Sequence, residues 1–441
     1  RDPQRTLLPV GFVDDDLRKR GVEIQGVRVL GSCERIPELA EERGIELILL
    51  ALPSARSRQM RRIVELCETT GIPFRTLPCM QDLVAGRVSI NTLREVSIED
   101  LLGRDPVRLN RRAISAELSG RCILISGGGG SIGAELCRQV ALLGPEKLVL
   151  LDNSEFNLFR IEQELRQRFP GTAIEAVLGD VADEAAVEHL FKTRRPDIVY
   201  HAAAYKHVPM LEPQVREAIR NNVLGTRTLA LAADRHNCDA FVLISTDKAV
   251  NPANIMGASK RIAEIFCQNL NQHSSTRFIT VRFGNVLGSA GSVVPTFQSQ
   301  IEAGGPVTVT HPEMKRYFMT IPEACQLILQ AEAMGKGSEI FVLDMGEPVS
   351  ITYLAEQMIR LSGNEPGKDI EIAYTGLRSG EKLYEELFHE KEKLEGTEHE
   401  KILLAQHRKI DWGQLTDIIT AMQTACALSL IHISEPTRLD A

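Results

Sequence analysis

The residues best suited to chemistry sit where an apolar run, Ala240–Ser245, ends in Ser245-Thr246-Asp247-Lys248. In an open parallel sheet, residues just past the carboxyl ends of strands line the ligand crevice. An acid and a base side by side there form a plausible proton-transfer pair, with the Thr246 hydroxyl beside them. The same residues also describe a turn with a solvated ion pair, and taken alone the motif favours that plainer reading. Eight residues on, Met256-Gly257-Ala258-Ser259-Lys260 opens a helical stretch. A methionine cannot titrate and normally packs a core, whereas Lys260 can carry charge toward a ligand.

A second constellation lies upstream. The run Cys122–Ser126 leads into Gly127-Gly128-Gly129-Gly130-Ser131-Ile132-Gly133, and a helical stretch, Ala134–Leu143, follows. Gly127, Gly130 and Gly133 allow a tight turn and close backbone approach to a pyrophosphate. The following helix start, at Ser131 and Ile132, supplies free amides and the positive end of a dipole. Asp152 ends the next strand, 19 residues past Gly133, near the spacing of an acid that binds the ribose hydroxyls of NAD and repels the 2′-phosphate of NADP. Asp180-Val181 closes the third strand, where Asp180 serves either the adenine amino group or a helix cap. Ala202, just past the fourth strand, completes the expected cofactor wall.

These residues require a scaffold of alternating strands and helices. The sequence predicts strands at Cys122–Ser126, Lys147–Asp152, Ile174–Gly179, Asp197–His201, Ala240–Ser245 and Phe278–Phe283, with amphipathic helices between them. This alternation is that of a doubly wound parallel α/β sheet of Rossmann type. Beyond Gly284 a smaller substrate lobe is expected, with helices at Ile321–Met334, Thr352–Leu361 and Glu381–Phe388. Upstream, residues 1–102 read as a truncated Rossmann-like α/β domain, with strands in "VGFVDDD", Ile45–Pro53 and "IPFRTLP" and a helix over Ser54–Thr70. Without a glycine-rich opening turn this domain is expected to serve structure or tethering. Residues 103–119 read as a linker with a short helix, 120–427 as the catalytic domain with a cofactor core to about 283, and 428–441 as a non-native tail resembling translated vector sequence.

Bulk properties narrow the class. The 441 residues carry 43% hydrophobic and 25% charged residues and a net charge of −8. That excludes the basic face of a nucleic-acid binder but not a small phosphate ligand held by local amides and one or two Arg. The nine cysteines are dispersed with no C-x-x-C pair, as in a reduced cytosolic protein. No cluster suggests a metal. No apolar run approaches the ~18 residues that span a bilayer. The chain starts at Arg1 and reads as a fragment lacking its natural N-terminus.

The glycine spacing, Asp152, Asp180, "HAAAYKHVP", "NNVLGT" and Lys260 resemble the extended short-chain dehydrogenase/reductases. Within them, "STDKAVNPANIMGASK", "VRFGNVLGSAGSVVP", "HPEMKRYFMT" and "GLRSGEKLYEEL" resemble the nucleotide-sugar 4,6-dehydratases of capsule, O-antigen and glycan synthesis. The resemblance spans about residues 10–425. One position departs from the wider superfamily: its Tyr is Met256 here, as in the long, membrane-tethered branch expected to dehydrate UDP-N-acetylglucosamine with retention at C5. The resemblance implies NAD as cofactor, Lys248 as the C5 base, Asp247 as the acid for the C6 hydroxyl, Thr246 on the C4 hydroxyl and Lys260 on the nicotinamide ribose. For the UDP-sugar it implies Lys206, His207, Asn285, Ser292 and Val293 near the sugar and phosphates. Arg316 and Arg378 would meet diphosphate or ribose, and Glu381 a ribose hydroxyl. A homo-oligomer is expected, held at the cytoplasmic face of a bacterial inner membrane through helices outside this chain. Two other readings stay open: a UDP-hexosamine 4-epimerase, and a non-catalytic NAD(H)-binding sensor or scaffold.

Overall fold

A computed structural model describes residues 7–52, 57–77, 94–96, 98–102, 107–388, 394–405 and 411–428. The chain divides into two compact units, Arg1–Asp105 and Pro106–Ala441.

The larger unit is built on one sheet. Its strands are β1 (Cys122–Ser126), β2 (Lys147–Asp152), β3 (Ala173–Leu178), β4 (Ile198–His201), β5 (Ala240–Thr246), β6 (Arg277–Phe283), β7 (Ile340–Leu343), β8 (Leu394–Gly396) and β9 (Ile402–Ala405). They lie in the order β8-β9-β7-β6-β5-β4-β1-β2-β3. All neighbours from β7 to β3 are parallel, and β9 and β8 add an antiparallel edge. The strand order reverses between β1 and β4, the place where a doubly wound sheet opens a crevice.

The central strands are buried on both faces, so they read as near-continuous apolar runs. Alternate residues feed opposite cores. Ile123 and Ile125 of β1 pack with Leu148, Leu150 and Tyr200 on one side. Leu124 packs with Val149, Leu151, Val199 and Phe241 on the other. The six sequence-predicted strands are all present, shifted by at most a residue at their ends.

Three helices show where sequence reading holds and where it fails. Ile321–Met334 begins and ends as expected: Thr320 caps it and Pro322 sits in its first turn. Arg111–Leu118 is the short helix expected in the linker, but it belongs to the larger unit: Ile114 and Leu118 are buried in the main core and the Asn110 amide donates to Gln330 Oε1 at 2.7 Å. The expected helix over Glu381–Phe388 is not formed. The carbonyls of Lys382 and Leu383 accept from the Arg316 guanidinium instead of from amides one turn on.

Short two-stranded pieces build the lobe beyond β6. Asn285–Val286 pairs with Phe318–Met319, Val307–Val309 with Ile372–Tyr374, and Lys315–Arg316 with Val349–Ser350. Each is too small to stand alone: Val286 and Met319 pack on the main core, while Val307–Val309 and Val349–Ser350 lie against helix Ile351–Leu361.

The smaller unit pairs Ile48–Leu50 in parallel with Phe74–Thr76, and Phe12–Val13 in parallel with Val27–Gly31. Helix Ser57–Glu68 buries Ile63, Val64 and Cys67. Val27–Gly31 and helix Ile36–Arg43 were not anticipated from the sequence. Residues 429–441, read as a tail, lie outside the described residues. Among the described residues no helix is long and apolar enough to cross a membrane.

Candidate active site

A cavity of about 1030 Å³ opens at the carboxyl ends of β1, β4 and β5. Its wall includes the glycine turn at Gly127, Gly130 and Gly133 and the first helical residues Ser131 and Ile132. Ala202, Lys206 and His207 approach after β4, and Thr246, Lys248, Met256 and Lys260 after β5. The lobe adds Asn285, Ser292, Val293, Arg316, Arg378 and Glu381. Eighteen expected residues from distant parts of the chain therefore share one wall; Asp152, Asp180, Val181 and Asp247 stand outside it.

The glycine turn has the shape a pyrophosphate needs. Gly127 adopts φ +68° and a Cβ there would lie 2.6 Å from the Ala203 amide nitrogen, while one on Gly133 would collide with the Gly127 carbonyl. Gly130 caps helix Ser131–Ala141 without a side chain, so the helix amides face the cavity unshielded. Asp152 lies against the turn: Oδ2 accepts from the Gly129 amide at 2.8 Å and Oδ1 from the Ser154 amide at 2.8 Å. Its carboxylate thus braces the loop from behind. Asp180 caps Ala182 and is paired with Arg220 at 2.7 Å. Val181 is a core residue.

Beneath the turn, His201 is buried and hydrogen-bonded on both ring nitrogens, to Ser126 Oγ at 2.7 Å and Thr226 Oγ1 at 2.9 Å. Thr226 gives its one hydroxyl proton to the Asn222 carbonyl, so Nε2 of His201 must be the donor to Thr226, and Nδ1 accepts from Ser126. Burial, and then the nearby Lys260, hold the His201 pKa down at about 3. The imidazole is a neutral strut between β1, β4 and the helix beyond.

The acid–base cluster forms because β5 stops in a tight turn, Asp247–Ala249, over which helix Ile255–Leu270 begins. Gly257 permits the approach: a Cβ there would come within 2.2 Å of the Lys248 carbonyl oxygen. Thr246 Oγ1 donates to Asp247 Oδ1 at 2.9 Å. Lys248 Nζ donates to the same oxygen at 2.9 Å and to Asn285 Oδ1 at 3.0 Å. Asp247 is 1% exposed and its Oδ2 is buried with no hydrogen-bond partner among the described residues. The plainer reading of a solvated ion pair does not survive this burial.

Met256 is 3% exposed, packed with Val208, Leu211 and Ala218, and its edge forms cavity wall. Lys260 is buried one turn on, and burial lowers its pKa to about 8, against the pull of Glu264. Glu264 itself is held ionised below the strands, chiefly by Arg282.

Farther out, Lys206 donates to Ser289 Oγ at 3.3 Å, and burial lowers its pKa. His207 packs against Gly291, and Ser292 caps the helix of Val293 with its Oγ buried and without a hydrogen-bond partner among the described residues. Arg316 is largely spent on the carbonyls of Lys315, Lys382 and Leu383. It is a strut of the lobe more than a ligand fork, contrary to expectation. The Arg378 guanidinium is exposed and has no hydrogen-bond partner among the described residues, and Glu381 Oε2 accepts from the Arg378 amide at 3.2 Å. Sequence reading missed Glu385, which is buried 3.8 Å from both Lys248 Nζ and Arg316 Nη2. It also missed Asn222, whose amide ties the Tyr205 backbone to Ser259.

Comparison with known proteins adds the family. The chain is 49% identical to the capsular polysaccharide biosynthesis protein CapD of Staphylococcus aureus over 89% of its own length and 66% of that protein's. It thus spans just under two thirds of that relative. It is 34% identical to a UDP-glucose 4-epimerase of Rickettsia canadensis over 60% of this chain and 77% of that one. Among solved structures, Pen from Bacillus thuringiensis is 31% identical with a TM-score of 0.61, covering 69% of this chain and 98% of its own. A dTDP-glucose 4,6-dehydratase from Streptomyces venezuelae, solved with NAD, shares the fold at 18% identity and a TM-score of 0.54, over 69% of this chain and 97% of that one. Residues 1–78 match a CoA-binding domain family. Residues 123–407 match the polysaccharide biosynthesis protein family, and the chain belongs to it.

Proposed function

We propose that the chain is a NAD-dependent dehydratase of a UDP-N-acetylhexosamine, UDP-N-acetylglucosamine in the first instance, yielding the 6-deoxy-4-keto sugar with retention at C5. The observation that carries this reading is the pair Thr246 and Lys248, facing the glycine turn across one cavity, with Asp247 buried behind them and hydrogen-bonded to both. The cavity is large for a single drug-sized ligand and suits a dinucleotide with a nucleotide sugar beside it. Its wall carries Lys206, Lys248, Lys260, Arg316 and Arg378 against Glu217 and Glu381, a local cationic excess inside an acidic chain that suits two diphosphates.

NAD, where bound, supplies hydride acceptance from C4 and hydride return to C6. The residues of the chain must then handle three protons. Thr246 accepts the C4 hydroxyl proton while passing its own to Asp247, a route into a carboxylate that needs no Tyr. Asp247, once protonated, gives that proton to the C6 hydroxyl as it leaves as water. Lys248 removes the C5 proton and later restores it from the same side, which is retention. Arg378 and the amides around Ser292 and Val293 suit the UDP diphosphate. Lys260, opening onto the cavity, suits the nicotinamide ribose.

The Rickettsia relative favours a 4-epimerase as the second reading. An epimerase returns hydride to C4 and has no use for a second acid–base pair, so Asp247 and Lys248 weigh against it. Incubation with UDP-N-acetylglucosamine and NAD, followed by mass spectrometry, separates the readings. Product lighter by one water supports the dehydratase, an isomer of unchanged mass supports the epimerase, and no change supports a binding protein.

A further inference from the structure

The cluster at the end of β5 contains one charged group that the reading above leaves without a task. Glu385 comes from the segment after Arg378, is not on the cavity wall, and sits behind Lys248. Its Oε1 lies 3.8 Å from Lys248 Nζ and 3.8 Å from Arg316 Nη2. Both distances are ion-pair contacts longer than a hydrogen bond, so the carboxylate is shared between two cations and committed to neither. Its place is fixed from behind, because Arg316 grips the carbonyls of Lys382 and Leu383 just before it. The other charged groups acting on it are Asp247 and Lys382.

Lys248 gives two of its three ammonium hydrogens to Asp247 and Asn285. To remove a proton from C5 it must first lose one. Asp247 is a poor place for that proton, because it must be free to accept the C4 hydroxyl proton. Glu385 is the other carboxylate within reach. Burial works against its charged form and raises its pKa above the usual carboxylate range, opposed by Lys248 and Arg316. A buried ammonium–carboxylate pair and its neutral amine–acid counterpart lie closer in free energy than they do in water.

We propose that Glu385 is the proton reservoir of Lys248. In this step the two side chains close from 3.8 Å to hydrogen-bond distance, a Nζ–H bond of Lys248 breaks and an O–H bond forms on Glu385, leaving a free amine beside a neutral acid. No external base takes part, and the pair keeps its total charge. The amine lone pair then takes the C5 proton, and the ammonium so formed returns it to C5 when C6 receives its hydride. Glu385 touches neither sugar nor cofactor; it acts through Lys248. This proposal rests on the dehydratase reading.

The test is exchange of the C5 proton with D₂O in the 4-keto product, added directly to the full chain with NAD, as a function of pH. It requires no hydride transfer. Wild type should exchange at a rate that changes little across neutral pH, since the proton stays within the pair. In Glu385→Gln, Lys248 must lose its proton to solvent. The rate should fall tenfold or more at neutral pH, and its ratio to wild type should recover about tenfold per pH unit as pH rises, as for one titrating proton. Glu385→Asp should keep the flat profile at a reduced rate, and unfolding midpoints close to wild type show that both variants fold. A ratio that is the same at every pH, or no loss in Glu385→Gln, overturns the proposal while leaving the dehydratase reading intact. If wild type neither exchanges this proton nor dehydrates UDP-N-acetylglucosamine, the dehydratase reading falls and the proposal with it.

Discussion

The hydroxyl of Thr246 donates to Oδ1 of Asp247 across 2.9 Å, and the other oxygen of that carboxylate is buried without a hydrogen-bond partner among the described residues. A hydroxyl poised between a cavity and a buried carboxylate is a proton relay in waiting, at the point where Met256 removes the usual phenol. Thr246→Val should therefore slow oxidation at C4, read as NADH absorbance in a single turnover, by roughly 10²–10⁴, the usual worth of a positioned acid or base. Thr246→Ser should restore most of it. Asp247→Asn should lose the same step, because an amide cannot take the proton. Undiminished NADH formation in Thr246→Val would remove Thr246 from the proton path.

Met256 should matter far less to the chemistry. It is packed with Val208, Leu211 and Ala218, and Leu nearly conserves its volume, which usually costs less than ~1.5 kcal/mol. Met256→Leu should stay within a few-fold of wild type in turnover, measured as product by mass spectrometry. Loss of C4 oxidation in this variant with the fold retained would show that the thioether does more than pack.

Asp152 should set cofactor choice. With its carboxylate beside the Gly129 amide, NAD is expected to bind at least tenfold tighter than NADP, about 1.4 kcal/mol. Asp152→Ala should narrow that gap and also weaken NAD, because the glycine turn loses its brace. Titration calorimetry checks both; equal affinities in wild type would contradict the assignment.

How much of this was legible beforehand follows from how local each signal is. The glycine turn and the six strands carry their evidence within a few residues, as spacing and apolar runs, and stand where expected, whereas Asp152 ends its strand as expected but lies behind the turn and off the cavity wall. Glu385 carries none: in "LYEEL" it is one acid among several, and only the fold brings it to Lys248. Arg316 looked like a phosphate fork because Arg often is one, but its partners are carbonyls 66 and 67 residues away. The same contact explains why 381–388 is not a helix despite its composition. The short helix expected in the linker is there as Arg111–Leu118, but its packing into the main core was not legible, because Ile114 and Leu118 are too few to give a clear apolar period.

Two buried groups should give the fold opposite pH dependences. His201 has its pKa lowered to about 3 from 6.5, so the unfolded chain binds a proton that the folded one refuses between those values. Stability from this group is complete above about 6.5 and is lost as pH falls toward 3. Glu332, buried beside Arg277 and Glu117, has its pKa raised to about 7 from 4.5, chiefly by burial. There the folded state holds the extra proton, so stability declines as pH rises from 4.5 through 7. Glu332→Gln should therefore raise the unfolding midpoint relative to wild type more at pH 8 than at pH 5. A larger gain at pH 5 would show that the ionised carboxylate, held by Arg277, is the stable form.

The central claim is that one cavity oxidises C4, eliminates water across C5 and C6, and reduces C6 with the same hydride. The direct measurement uses UDP-N-acetylglucosamine deuterated at C4, turned over by the chain with NAD, with the label located in the product by NMR and mass spectrometry. The account predicts deuterium on C6 of a 6-deoxy-4-keto product, carried within a single molecule even when unlabelled substrate is mixed in. Deuterium still on C4 of an isomer with the mass of the substrate would contradict it and make the protein an epimerase.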